Sequence, residues 1–159
     1  MDARSLSQAA QVQVGTLNAW IQRGLIPGVT ADARGRLRDF DIKTAAHIGI
    51  MAELSRFGFG APLASAAARF ALSASAQRCL FSNPVQEGPI GEVGQRFGFS
   101  FLPFESEATL SKTLAEAGAD QLPSVSLIVN IERITATMQQ AEKEWQLRRK
   151  TRPARKTDG

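Results

Sequence analysis

Residues 6–27 read LSQAAQVQVGTLNAWIQRGLIP, and this stretch decides the fold that the sequence predicts. Residues 6–11 are predicted to form a short helix. Residues 16–23 are predicted to form a second helix, because its apolar residues recur at i, i+3 and i+4 and can face a core together. These apolar residues are Leu17, Trp20 and Ile21.

The second predicted helix has a clear end. Gly24 can adopt the left-handed backbone conformation that commonly ends a helix, and Pro27 prevents the helix from resuming. A short break at residues 12–15 separates the two helices. Two short helices joined in this way predict a helix-turn-helix.

A polar, glycine-containing stretch follows at residues 28–40 and carries Arg34, Arg36 and Arg38 at alternate positions. In extended chain these three side chains would point to one side. Asp41 is a good N-cap for a third helix. That helix is predicted from Ile42 to Phe57, and a fourth helix starts near Pro62. The inward stripe predicted for the third helix consists of Ile42, Ala46, Ile50, Leu54 and Phe57.

The pattern weakens after residue 76. Residues 97–101 alternate and predict a strand, and residues 108–117 predict a short helix. Residues 124–129 form the best strand pattern in the chain. Asn130 can then cap a final long helix.

The final helix carries an apolar seam spaced 3, 4, 3, 4, which is a heptad pattern over two repeats. It predicts a dimerisation helix, although a helix packed on its own domain has the same pattern. The basic residues 148–159 are predicted to form a disordered tail. The seam residues are Ile131, Ile134, Met138, Ala141 and Trp145.

Composition excludes several classes of protein. The 159 residues suffice for one or two small domains, and no apolar run approaches the roughly 18–20 residues that cross a bilayer. The first five residues lack the apolar stretch of a secretory signal. A single cysteine, Cys79, excludes an internal disulfide and is expected to be a free thiol. A single histidine, His47, is expected to be a core or surface residue, and we expect no metal, no cofactor and no enzymatic activity.

The net charge of +4 is unevenly distributed along the chain. Residues 1–60 hold seven basic and five acidic residues, and residues 61–144 hold six basic and nine acidic ones. Residues 145–159 hold six basic residues and one acidic residue. Concentration of basic residues at both ends favours a nucleic-acid partner, while a solvated tail without a partner is the simpler alternative.

Residues 5–75 resemble the DNA-binding domain of the mercury-resistance regulator (MerR) superfamily. The resemblance includes the family's order of a valine, a Thr-Leu pair, an aromatic residue and a Gly-Leu step, then an Arg-x-aromatic step and a Phe-Gly-Phe step. The sequence departs from the family at Asn18, where arginine is common, and we recognise no effector domain in the C-terminal half. The matching residues are Val12, Thr16, Leu17, Trp20, Gly24, Leu25, Arg38, Asp39, Phe40, Phe57, Gly58 and Phe59.

The resemblance implies that the second helix lies in the major groove of DNA. Gln13, Asn18, Ala19 and Gln22 point away from its apolar face, and Asn18 and Gln22 are the candidates for reading adenine. The alternative is that these two are ordinary solvated side chains.

Other residues are candidates for DNA-backbone contacts. Thr16 lies where a helix N-terminus can bind a phosphate, although it could equally serve as a cap. Arg23 and the wing residues Arg34, Arg36 and Arg38 would contact phosphates or the minor groove. A salt bridge from Arg38 to Asp39 or Asp41 is the structural alternative.

These observations predict a mainly α fold: an N-terminal winged helix-turn-helix of the MerR type and a small α/β C-terminal segment. The predicted divisions are a DNA-binding domain (1–76), a linker and irregular region (77–123), a strand plus dimerisation helix (124–147) and a basic tail (148–159).

The function expected is a cytoplasmic, nucleoid-associated transcriptional regulator that binds a pseudo-palindromic promoter site as a homodimer. Its partners would be double-stranded DNA, a second copy of the chain and, as a further candidate, RNA polymerase. Two alternatives stay open. One is an excisionase-like DNA-bending factor, which is usually shorter than this chain. The other is a protein–protein adaptor, which would have no need of the three wing arginines.

Overall fold

The computed structural model describes residues 1–29, 39–73, 78–82, 100–117 and 126–151. Within these ranges the fold is mainly helical with one small antiparallel sheet. The elements in chain order are α1 (Ala3–Ala9), α2 (Val14–Gln22), α3 (Ile42–Arg56), α4 (Ala61–Ser73), β1 (Arg78–Ser82), β2 (Ser100–Phe104), α5 (Glu107–Ala117), β3 (Ser126–Asn130) and α6 (Ile131–Thr151).

Helix α3 is the centre of the hydrophobic core. Its N-cap is Asp41, as predicted, and the Asp41 carboxylate accepts a hydrogen bond of 2.8 Å from the Thr44 backbone N–H. Both α4 and α6 pack against α3. The helix is therefore buried on more than the single predicted stripe, because two elements cover it. The buried residues outside that stripe are Ala45, His47, Ile48, Gly49, Met51 and Ala52.

The prediction of an inward-facing stripe on α3 is wrong for one residue, Phe57. Phe57 lies beyond the end of α3 and its residue surface is 62% exposed. The helix stops at Arg56, and Gly58 adopts a positive φ of 88°. The turn directs the chain away before Phe57 can join the inward face.

Helices α1 and α2 each begin earlier than predicted. Asp2 caps α1, since its carboxylate accepts a 2.8 Å hydrogen bond from the Ser5 N–H, and the helix therefore starts at Ala3. A short turn through Gln11, which has a φ of 54°, leads to α2 at Val14. The pair of short helices joined by a turn is thus present.

The sheet has β1 in the middle, with β2 and β3 antiparallel on either side. Strand β3 confirms the strongest predicted strand, shifted by a residue or two. Strand β2 starts at Ser100, and residues 97–99 of the predicted strand lie outside the described residues. Strand β1 was not predicted, so the region assigned as linker and irregular holds β1, β2 and α5. Cys79 is buried in β1 opposite Val129, and burial raises the pKa of its thiol to about 12.

Helix α6 requires two corrections. The predicted cap is confirmed, because Asn130 accepts a 2.8 Å hydrogen bond from the Arg133 N–H. The seam predicted for dimerisation, however, packs on α3 and α1 of the same chain. The helix also continues to Thr151, so residues 148–151 of the predicted disordered tail are helical. Residues 152–159 lie outside the described part. The seam consists of Ile131, Ile134, Met138, Ala141 and Trp145, all buried or partly buried.

The close approach of α6 to α3 depends on Gly49. A Cβ atom at Gly49 would lie 2.7 Å from Cγ2 of Ile134 and 3.1 Å from Cε of Met138. Only a residue without a side chain fits this contact without displacement. The seam of α6 is therefore matched to a specific position on α3.

Candidate nucleic-acid interface on helix α2

Helix α2 presents two chemically different faces. Leu17, Trp20 and Ile21 are buried, as their spacing predicts. The remaining predicted contact residues of α2 and its flanks are all exposed and carry amide, hydroxyl, methyl or guanidinium groups. They are Gln13, Thr16, Asn18, Ala19, Gln22 and Arg23. The structure thus brings six of the nine predicted DNA-contact residues to one exposed helix and its ends.

The exposed face contains no carboxylate, and its single formal charge is that of Arg23. Asn18 and Gln22 lie four residues apart and therefore on the same side of the helix. Thr16 lies in the first turn of α2, where the backbone N–H groups have no partners within the helix. Such a face can donate and accept hydrogen bonds without repelling a polyanion.

The start of α2 is held by two side-chain hydrogen bonds to backbone carbonyls. The Ser7 hydroxyl donates to the carbonyl of Val12 just before the helix. Nη2 of Arg56, at the end of α3, donates to the carbonyl of Ala10 at 2.7 Å. Arg56 is itself held by Glu53, with 2.8 Å between Nη1 and Oε1. These contacts fix the turn from which α2 departs.

The end of α2 is held by a buried polar cluster of His47, Ser65 and the Leu25 carbonyl. The Ser65 hydroxyl donates to the Leu25 carbonyl oxygen. Nε2 of His47 lies 3.3 Å from the same oxygen and 3.5 Å from Oγ of Ser65. Gly24, with a φ of 67°, lets the chain turn immediately after the helix. The chain leaving α2 is thereby tied to both α3 and α4.

Burial lowers the pKa of His47, because removing the ring from water disfavours its charged form. The positive charge of Arg69 lowers it further, against the hydrogen bond to Leu25. His47 is a core histidine, one of the two readings that the sequence allowed. Its anchoring role, and that of Ser65, could not be found from sequence because the three groups come from separate segments.

The predicted wing arginines Arg34, Arg36 and Arg38 lie outside the described residues. Both carboxylates proposed as alternative partners of Arg38 have other contacts. Asp39 Oδ2 lies 3.7 Å from Nη1 of Arg149, and Asp41 accepts the cap hydrogen bond from Thr44.

The described residues contain no group of three or more His, Cys, Asp or Glu side chains able to hold a metal ion. Among the described helices, none has the length and apolar character needed to cross a bilayer.

Comparison of the chain with protein-family models and with curated proteins finds no match.

Proposed function

We propose that this chain is a sequence-specific, DNA-binding transcriptional regulator that inserts α2 into the major groove. The observation that carries the proposal is the division of α2 into a buried apolar face and an exposed face of Asn, Gln, Thr and Arg. The contacts that hold both ends of α2 support the proposal further, because a base-reading helix must be held in one orientation.

Asn18 and Gln22 are the base-reading residues of this proposal. Each amide group can donate and accept at the same time, which matches the N6 and N7 atoms of adenine. Thr16 and the free N–H groups of the first turn of α2 would hold a phosphate, and Arg23 would contact another. Ala19 leaves room for close approach to the base edges or a thymine methyl group.

The proposal includes the winged fold of the MerR-like type, with Arg34, Arg36 and Arg38 on the wing as further backbone contacts. It also includes a homodimer on a pseudo-palindromic promoter site, since two half-sites about a helical turn apart demand two recognition helices. The proposed setting is the cytoplasm and its nucleoid, with RNA polymerase as a candidate partner.

The test is in vitro selection of bound duplexes followed by binding titrations with Asn18→Ala and Gln22→Ala. Each lost base contact is expected to reduce discrimination between the selected and a scrambled duplex by about 1–3 kcal/mol. Gln139→Ala is the matched control, because Gln139 is an exposed amide on α6. The control should retain wild-type discrimination.

Two results would contradict the proposal. A wild-type chain that binds no duplex would favour the adaptor alternative. Variants at Asn18 and Gln22 that discriminate as well as the wild type would remove α2 from base reading. Genome-wide mapping of bound DNA would separate a promoter regulator from the excisionase-like alternative, because the latter binds at recombination sites.

A further inference from the structure

The two basic ends of the sequence meet in the tertiary structure. The Trp145 indole N–H on α6 donates to Oδ2 of Asp2 at 3.1 Å, which ties the last turns of α6 to the start of the chain. Nη1 of Arg149 lies 3.7 Å from Oδ2 of Asp39, and its guanidinium lies 5.3 Å from the centre of the Trp145 ring. The basic end of α6 therefore lies beside Asp39, the residue that directly follows the last predicted wing arginine, Arg38.

Residues 39–40 are themselves fixed to the start of the chain. The Phe40 N–H donates to the Met1 carbonyl at 2.8 Å, and the Met1 amino group donates to the Phe40 carbonyl at 2.9 Å. The Phe40 side chain is buried. Asp39, the partner of Arg149, therefore directly precedes a residue whose backbone and side chain are both held by the start of the chain.

A groove of about 770 Å³ lies between these elements. Arg4 of α1 and Arg148 and Arg149 of α6 line it, together with the carboxylates of Asp2 and Asp39. Both carboxylates are already engaged: Asp2 with Ser5 and Trp145, and Asp39 with Arg149. Asp2 therefore holds Trp145 against the start of the chain, and Asp39 is an exposed partner of Arg149.

Two arginines of this groove, Arg4 and Arg148, can bind an anion without losing a strong ion pair. No ion pair joins Arg4 to a carboxylate among the described residues. Within the described part of the chain, the carboxylate paired with Arg148 is that of Glu144, at 3.6 Å and exposed, and such surface pairs contribute little to stability. A phosphate can replace the carboxylate with small loss, and arginine binds phosphate through two parallel hydrogen bonds. Further along the chain the sequence adds Arg152, Arg155 and Lys156.

We propose that this groove binds the phosphate backbone of DNA that flanks the site read by α2. The inference rests on the proposed function and extends it, because it adds a backbone contact made by the C-terminal end of α6 and by Arg4. DNA is favoured over an acidic protein because three arginines line the groove, and because its residue Asp39 directly follows Arg38 in the sequence, the last of the three arginines predicted to contact DNA. The DNA backbone carries a continuous row of phosphates, which can pair with several arginines at once.

The experiment measures binding of a mixed-sequence duplex several helical turns long across a range of salt concentrations. The full chain is compared with the single variant Arg148→Gln and the double variant Arg4→Gln/Arg148→Gln. The slope of log K against log salt should become shallower by about 0.9 for each phosphate contact removed. Hydroxyl-radical footprinting of the selected duplex should lose backbone protection at the outer flank of each half-site, while protection where α2 reads the bases remains.

Lys143→Gln is the matched control, since Lys143 is an exposed cation on the same helix and lines none of the described grooves. It should leave the slope and the footprint unchanged. Equal slopes for the wild type and the Arg4→Gln/Arg148→Gln variant would overturn the inference and leave the role of α2 intact. A slope change in Lys143→Gln as large as that in Arg148→Gln would also overturn it, because the effect would then be one of net charge. A wild type that binds no duplex would contradict the proposed function as well.

Discussion

Helices α2 and α6 have similar sequence patterns and different positions in the structure. Each has an apolar stripe at helical spacing and a polar opposite side. The stripe of α2 packs on the body of the protein and leaves a polar face exposed. The stripe of α6 predicts a partner helix from a second copy, yet α3 and α1 of the same chain cover it. Periodicity therefore identifies the side of a helix that is buried, but not the surface that buries it.

The largest expected effect is a loss of stability, and it tests whether α3 of the same chain covers the apolar stripe of α6. Changing Ile134 and Met138 together to Asp places two carboxylates against α3, where Met138 is almost fully buried. Unpaired buried charge is among the most destabilising changes, so the free energy of unfolding should fall by about 4 kcal/mol or more. Urea denaturation would measure it.

The control for this change is Leu147→Asp on the exposed side of α6, where the residue is 62% exposed. Its stability should remain within about 0.5 kcal/mol of the wild type. If the Ile134/Met138 variant stayed fully stable and only changed from dimer to monomer in sedimentation, the seam would be an intermolecular interface after all.

A second change compares two glycines, one beneath α6 and one on α2. Gly49→Ala introduces a methyl group 2.7 Å from Cγ2 of Ile134, and overpacking of this kind costs about 1–3 kcal/mol. Gly15→Ala on α2 meets no atom within 4 Å and should be neutral or stabilising by up to about 1 kcal/mol. The midpoint of thermal unfolding should fall in Gly49→Ala and should stay the same or rise in Gly15→Ala. Equal stability would mean that α6 does not approach α3 closely.

The smallest effect concerns the anchor at the end of α2. The pKa of His47 is lowered in the folded chain, so below the ordinary value of 6.5 the unfolded chain binds a proton that the folded chain resists. The stability contributed by neutral His47 is thus fully present above about pH 6.5. It is lost as the pH falls from there through the lowered folded-state pKa.

Urea denaturation at several pH values would measure this loss. His47→Gln keeps a hydrogen-bonding amide for the Leu25 carbonyl and has no group that titrates, so its stability should vary less over the same pH range. Parallel curves for the wild type and the variant would show that His47 is not the group responsible.

Much of the local structure followed from the sequence. The caps Asp41 and Asn130, the apolar face of α2 and the final helix were predicted from residues a few positions apart. Strand β1 was missed, since five residues that include an arginine and a serine give little periodic signal. Its strand character depends on pairing with β2 and β3, which are distant in sequence.

The candidate site divides in the same way. The exposed side of α2 could be predicted, because it is the complement of Leu17, Trp20 and Ile21. Its anchors could not, since Arg56 contacts Ala10 across 46 positions and Ser65 contacts Leu25 across 40. No local pattern connects such pairs.

By itself the sequence determined the presence of the helices, the caps Asp41 and Asn130, the polar face of α2 and the concentration of basic residues at both ends. Only the tertiary structure decided which surface covers α6 and that the basic end of α6 lies beside Asp39. The physical reason is the range of the interactions. Helical periodicity and capping act within about one turn, whereas the contacts of Gly49 with Ile134 and of Arg149 with Asp39 exist only once the whole chain has folded.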